Sequence, residues 1–143
     1  MARARGHQEL DHPADLLLRF WAPSEEELLV EAAQALVEVL TQGTAVAAKS
    51  SRMVRLESID PADRLVRWLN EVLLLATCEG FVLADAQVTL CASSGEASSL
   101  QAVVVGDPDG GAALRTEVKS VTYHALELCR LEQGFVGQVL IDV

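Results

Sequence analysis

Two stretches of this chain place apolar residues at helical spacing and leave a polar side that has to face water. In SEEELLVEAAQALVEVL, residues 24 to 40, Leu28, Ala32, Leu36 and Leu40 recur every four residues beside Leu29, Ala33 and Val37, the pattern of a helix with one broad buried face. Ser24 with Glu27 three positions on forms a capping box, the acidic first turn suits the helix dipole, and Gly43 ends the segment. The second stretch opens on Asp60 as N-cap with Pro61 in the first turn and Asp63 complementing the dipole. It turns Leu65, Leu69, Val72, Leu73 and Ala76 inward and closes at Glu79-Gly80. Helices with one apolar face need another layer to cover it.

The rest of the chain supplies strands. Leu16 to Trp21 is a short apolar run bounded by prolines, and residues 52 to 57 alternate Val54 and Leu56 with Arg55 and Glu57. From Phe81 onward, VLADAQVTLCA, LQAVVV, ALRTEVKSVTYHALELCRL and FVGQVLIDV all read as strands. DPDGG at 107 to 111 reads as a hairpin turn, Glu132-Gln133-Gly134 as a second hairpin loop, and SSGEASS at 93 to 99 as a flexible loop. The order β, β, α, β, α, then several β, predicts an α+β two-layer sandwich. In it two long helices lie side by side on one face of a mixed, mainly antiparallel sheet. At 143 residues, half of them hydrophobic, the chain is sized for one domain spanning residues 1–143.

Eleven Lys and Arg stand against 21 Asp and Glu, a net charge of −10. Phosphate would be repelled, so any link to RNA or DNA is expected to run through a partner. Cys78, Cys91 and Cys129 are odd in number and far apart, which fits neither a disulfide framework nor a CxxC metal motif; buried thiols in a reducing cytoplasm are the expectation. No stretch approaches the roughly 18 uninterrupted apolar residues of a membrane span, and the basic N-terminus has no apolar segment behind it. A soluble cytoplasmic protein is expected.

Charge sits in three places where an apolar strand would not want it. ELDHPADLLLRF, residues 9 to 20, carries Asp11, His12 and Asp15 ahead of an apolar run, and VLIDV ends the chain with Asp142 inside one. A carboxylate buried there needs water, a cation or a metal. Each Asp can be satisfied separately, by an Asx turn around Pro13 or by solvent. If the last strand pairs near the first, Asp11, Asp15 and Asp142 instead meet at one sheet edge. Such an oxygen cluster, with the Val143 carbonyl or carboxylate, suits Mg²⁺, Mn²⁺ or Ca²⁺. His12 reads as a structural histidine or a ligand. In EVKSVTYHALEL, residues 117 to 128, Lys119 and His124 fall on opposite faces of a strand, with Lys119 a charge that discourages edge pairing. No Gly-rich phosphate loop, nucleophile elbow or Cys/His dyad is present, so no catalytic residue is assigned.

DHPAD, EVKSVTYH and the terminal VLIDV, in this order, resemble the motifs of the archease family, and ADRLVRWLNEVLLL resembles the family's second helix. The likeness covers essentially the whole chain. It departs from the family at Pro13, where Thr is usual, and at Ser120, where Ala commonly follows the Lys. The resemblance implies a non-enzymatic protein cofactor of an RtcB-type RNA ligase in tRNA splicing and RNA repair. Such a cofactor promotes guanylylation of the ligase from GTP, which the ligase uses, and allows multiple turnover. It further implies a divalent metal, Ca²⁺, Mg²⁺ or Mn²⁺, held by Asp15, Asp142 and the Val143 main chain, with Asp11 as an additional ligand. Lys119 and His12 would contact the partner or its nucleotide site, and RNA would be met only through the ligase.

Two other classes compete with this reading. A small metal-dependent phosphoesterase would use the same carboxylates, although no general base or oxyanion donor accompanies them in the sequence. A chaperone-like binding module would need them only for structure.

Overall fold

The computed structural model describes residues 4–11, 15–92 and 98–143, apart from the side chains of Leu10, Asp11 and Ala92. Its elements are β1 (Gly6–Asp11), β2 (Asp15–Ala22), α1 (Glu25–Thr41), β3 (Ser50–Ser58), α2 (Pro61–Glu79), β4 (Val82–Ala92), β5 (Ser98–Asp107), a 3-10 turn (Gly110–Ala113), β6 (Ser120–Leu131) and β7 (Gly134–Asp142). The α+β class with two long helices is as expected. The described strands divide into two sheets, β1-β2-β7-β6 and β3-β5-β4, in which every pairing is antiparallel.

Both helix starts follow their local chemistry. The Ser24 hydroxyl accepts from the Glu27 N–H, and the Asp60 carboxylate accepts from the Asp63 N–H at 2.7 Å. The first helix ends on Gln42 and Gly43, both left-handed, and the second on Gly80 at φ 70°. The burial departs from the one-faced pattern. Helix α1 touches β1, β2 and β7 of one sheet and β4 of the other, so Val30 and Ala35 are buried along with the Leu28–Leu40 stripe. Helix α2 contacts β6 of the first sheet and β3 and β4 of the second.

The core fills the space between these elements, with Phe20, Leu36, Leu65, Trp68, Leu69, Val104 and Ile141 essentially excluded from water. Each such side chain contributes about 1.5–3 kcal/mol by burial. Trp68 gives its indole N–H to the Leu29 carbonyl at 2.7 Å, which satisfies its one polar atom and ties the helices together. Arg64 is also buried and reaches Glu25 at 2.5 Å, the Ser58 hydroxyl at 3.2 Å and the Ser98 hydroxyl. One cation thereby joins the starts of α1 and β5 to the end of β3.

Three expectations need correction. DPDGG is not a hairpin turn: β5 ends at Asp107, and the 3-10 turn leads the chain across to β6 in the other sheet. The strand expected from Ala113 begins only at Ser120, so Lys119 precedes it. The thiols are free but not buried, with Cys78 and Cys129 exposed and Cys91 half-buried, because they sit at a helix end and on strand faces away from the core. Of the loop expected at 93 to 99, residues 93–97 lie outside the described residues and Ser98 and Ser99 open β5. The β6–β7 hairpin turns through Glu132 and Gln133. Gly134 follows at φ 142°, where a Cβ would lie 2.4 Å from the Ala22 carbonyl oxygen.

Candidate functional site

Strand β2 runs antiparallel to β7, and the register sets Asp15 opposite Asp142. Along β2, Leu18, Phe20 and Ala22 are buried towards the helices, opposite Val139, Gly137 and Phe135 of β7. Alternation therefore puts Asp15 and Asp142 on the other face of the sheet, at its end. Residues directly opposite in an antiparallel pair have Cβ atoms about 4.5–5.5 Å apart. Two carboxylates are thus held side by side by backbone pairing, and both residues are half-buried.

Strand β6 approaches from the other flank of β7. Ser120 is opposite Asp142, giving a row Asp15–Asp142–Ser120 across three strands. Lys119 donates its backbone N–H to the Asp142 carbonyl at 2.7 Å, and its side chain is exposed. Val143 follows Asp142 and is exposed. Residues more than 100 positions apart in sequence are brought to one sheet end because β2 and β7 are neighbours. Asp11 ends β1 opposite Leu16, one register step from the Asp15–Asp142 row; its side chain, and all of His12, lie outside the described residues.

The expected opposition of Lys119 and His124 does not hold. Lys119 precedes the strand, and the β6–β7 register breaks between Thr122 and Glu127, where Ala125 takes a left-handed φ of 55°. This bulge disrupts the period-two alternation on which the expectation rested. His124 is exposed within it.

Among the described residues, no three His, Cys, Asp or Glu side chains gather as a ready-made metal centre. What the sheet end offers is a pair of hard oxygen donors in register with main-chain carbonyl groups next to them. That is a donor set for an oxygen-seeking divalent cation whose other positions are water.

Two polar constructions had escaped the sequence reading. The Asn70 side chain of α2 makes both hydrogen bonds to the backbone of Val121, accepting from its N–H and donating to its carbonyl, each at 3.0 Å. It thereby acts as a surrogate strand partner for β6 just beyond Ser120. On the far side of the sheet, His7 lies between Glu31 and Glu38 of α1, 2.5 Å from the latter, while Arg5 reaches Glu31 at 2.5 Å. Burial pulls the His7 imidazole down, but the two carboxylates outweigh it and hold its pKa above the ordinary value. The available signal was Glu31 itself, a carboxylate amid the apolar positions of α1 that demands a cation.

The fold and this sheet-end arrangement define a small α+β protein with paired carboxylates at the junction of its first hairpin and last strand. Residues 7–143 match the Archease protein family (MTH1598/TM1083), and the chain belongs to that family. It is 32% identical over 139 residues to the protein archease of Methanopyrus kandleri, covering 95% of this chain and 98% of that one. It is 28% identical to the protein archease of Methanosarcina barkeri, covering 99% of both. The solution structure of Methanobacterium thermoautotrophicum protein 1598 superposes with a TM-score of 0.81 at 27% identity, covering 96% of this chain and 99% of that one. The crystal structure of an archease from Thermotoga maritima, described as a possible chaperone, shares the fold at 19% identity, with a TM-score of 0.59 over 95% of this chain and 96% of that one.

Proposed function

We propose that this protein is a non-enzymatic cofactor of an RtcB-type RNA ligase in tRNA splicing and RNA repair, promoting guanylylation of the ligase from GTP and multiple turnover. The observation that carries the reading is the direct pairing of Asp15 with Asp142. It joins the first and last of the family's motifs at one sheet end, with the Lys119 backbone of the second motif hydrogen-bonded there.

In this reading Asp15, Asp142 and the Val143 main chain hold a divalent metal, with Asp11 as a further ligand. When bound, the cation supplies charge that offsets and orients phosphate oxygens. The protein's own residues do the rest. Backbone pairing fixes the two aspartates without any loop having to order. Exposed Lys119 offers a cation to a phosphate or an acidic group of the partner. His12, in the DHPAD motif with Asp15, is a second contact. The net charge of −10 favours encounter with a basic RNA-binding enzyme in the cytoplasm and disfavours direct RNA contact.

The test is ligation by such an enzyme with Mn²⁺ and GTP, with and without substoichiometric amounts of this protein. Turnover is expected to rise, and the rise to vanish with Asp142→Asn or Asp15→Asn while the variants melt as the wild type does. Stimulation that survives both substitutions would refute the carboxylate role and favour a binding module. Hydrolysis of a phosphoester without the ligase would favour the enzyme reading.

A further inference from the structure

Among the described residues, strand β3 is an edge: it pairs with β5 on one side only. Its outer face carries Met53, Arg55 and Glu57, all exposed, while Val54 and Ser58 are buried on the other. Met53 is 75% exposed and Ile59, just past the strand, 68%. They are the two most exposed large apolar residues described. Beside the free edge runs an open cleft of about 570 Å³ between β3, α2 and β6, with exposed Leu74 and Tyr123 in its wall. An exposed edge with apolar residues is a template for another strand.

The sequence of β3 is complementary to itself in one register. With two copies antiparallel and Leu56 opposite Leu56, Arg55 of each copy meets Glu57 of the other, and Met53 meets Ile59. Shifting the register by two residues one way opposes Arg55 to Arg55, and the other way Glu57 to Glu57, both of which put like charges face to face. The two-fold arrangement makes each favourable pair twice. We propose that the β3 edge is a homodimer interface, joining the β3-β5-β4 sheets of two copies into one continuous six-stranded sheet. The cleft beside it would receive the second copy and cover Leu74 and Tyr123.

The test is sedimentation equilibrium on the full chain from micromolar to millimolar concentration. It would be run at about 0.15 M salt, where a Debye length of about 8 Å screens the repulsion between two acidic copies. A reversible dimer is expected. Arg55→Glu and Glu57→Arg alone should each raise the dimer Kd about tenfold or more, because each sets like charges opposite one another twice. The double reversal Arg55→Glu with Glu57→Arg recreates both pairs and should restore the wild-type Kd. Met53→Lys should weaken the dimer without charge rescue. Unchanged melting of each variant separates loss of association from loss of fold. A monomer at every concentration, a Kd indifferent to the single reversals, or a double reversal no better than either single would overturn the proposal.

Discussion

His7 joins the first strand to α1 through charge. Its imidazole sits between the carboxylates of Glu31 and Glu38, and its pKa in the fold lies above the ordinary 6.5. A group whose folded pKa exceeds its unfolded one adds stability that is complete below the unfolded value and is lost as pH rises through the folded value. The wild type should therefore lose stability relative to His7→Gln as the pH rises above the ordinary 6.5 and through the raised value of the fold. Urea midpoints of the two proteins across that range check it; parallel curves would mean the pair contributes nothing. Asp63 shows the opposite sign. Burial alone would raise its pKa, but the Ile59 N–H, the Tyr123 hydroxyl and Arg67 outweigh this and lower it. Its contribution is thus retained at neutral pH and lost only in acid.

Among the described strands, β6 has the most interrupted pairing. Its ladder to β7 is interrupted from Thr122 to Glu127, and its outer edge is met by Asn70 rather than by a strand. Asn70→Ala leaves the Val121 N–H and carbonyl without those partners and should cost about 2 kcal/mol. Urea unfolding measures the cost, and faster amide exchange at Val121 would locate it. The same change should loosen Ser120 and Lys119, so ligase stimulation should fall even though no proposed ligand is touched. The helices and most strands were readable from local chemistry, as in the caps at Ser24 and Asp60 and the strand 82–92, which is β4 to the residue. The 3-10 turn at Gly110–Ala113 and the late start of β6 were not, since a Gly-rich turn does not show whether the chain returns to the same sheet or crosses to another.

For the molecule as a whole, the question is whether the paired carboxylates bind a cation. A ligand that binds only the folded state stabilises it by about 2.7 kcal/mol at a hundredfold excess over Kd, which raises Tm by roughly 9 °C at this size. Mn²⁺ or Ca²⁺ should give such a shift in the wild type and not in Asp142→Asn, and chelation should reverse it. Equal shifts in both proteins would place any bound metal elsewhere. This measurement needs no ligase and so tests the site separately from the proposed activity.

By itself the sequence determined the element types, the helix termini, the acidic charge and the three motifs that resemble the archease family, because these depend on neighbours within a few residues. Tertiary structure alone decided that the strands divide into two antiparallel sheets, that α1 is buried well beyond one face, and that Asp15 stands opposite Asp142 while Asp11 is one register step away. Strand partners and register arise from long-range packing. A one-residue slip would turn Asp15 and Asp142 to the core face, and only the burial of Leu18, Phe20, Val139 and Ile141 against the helices forbids it.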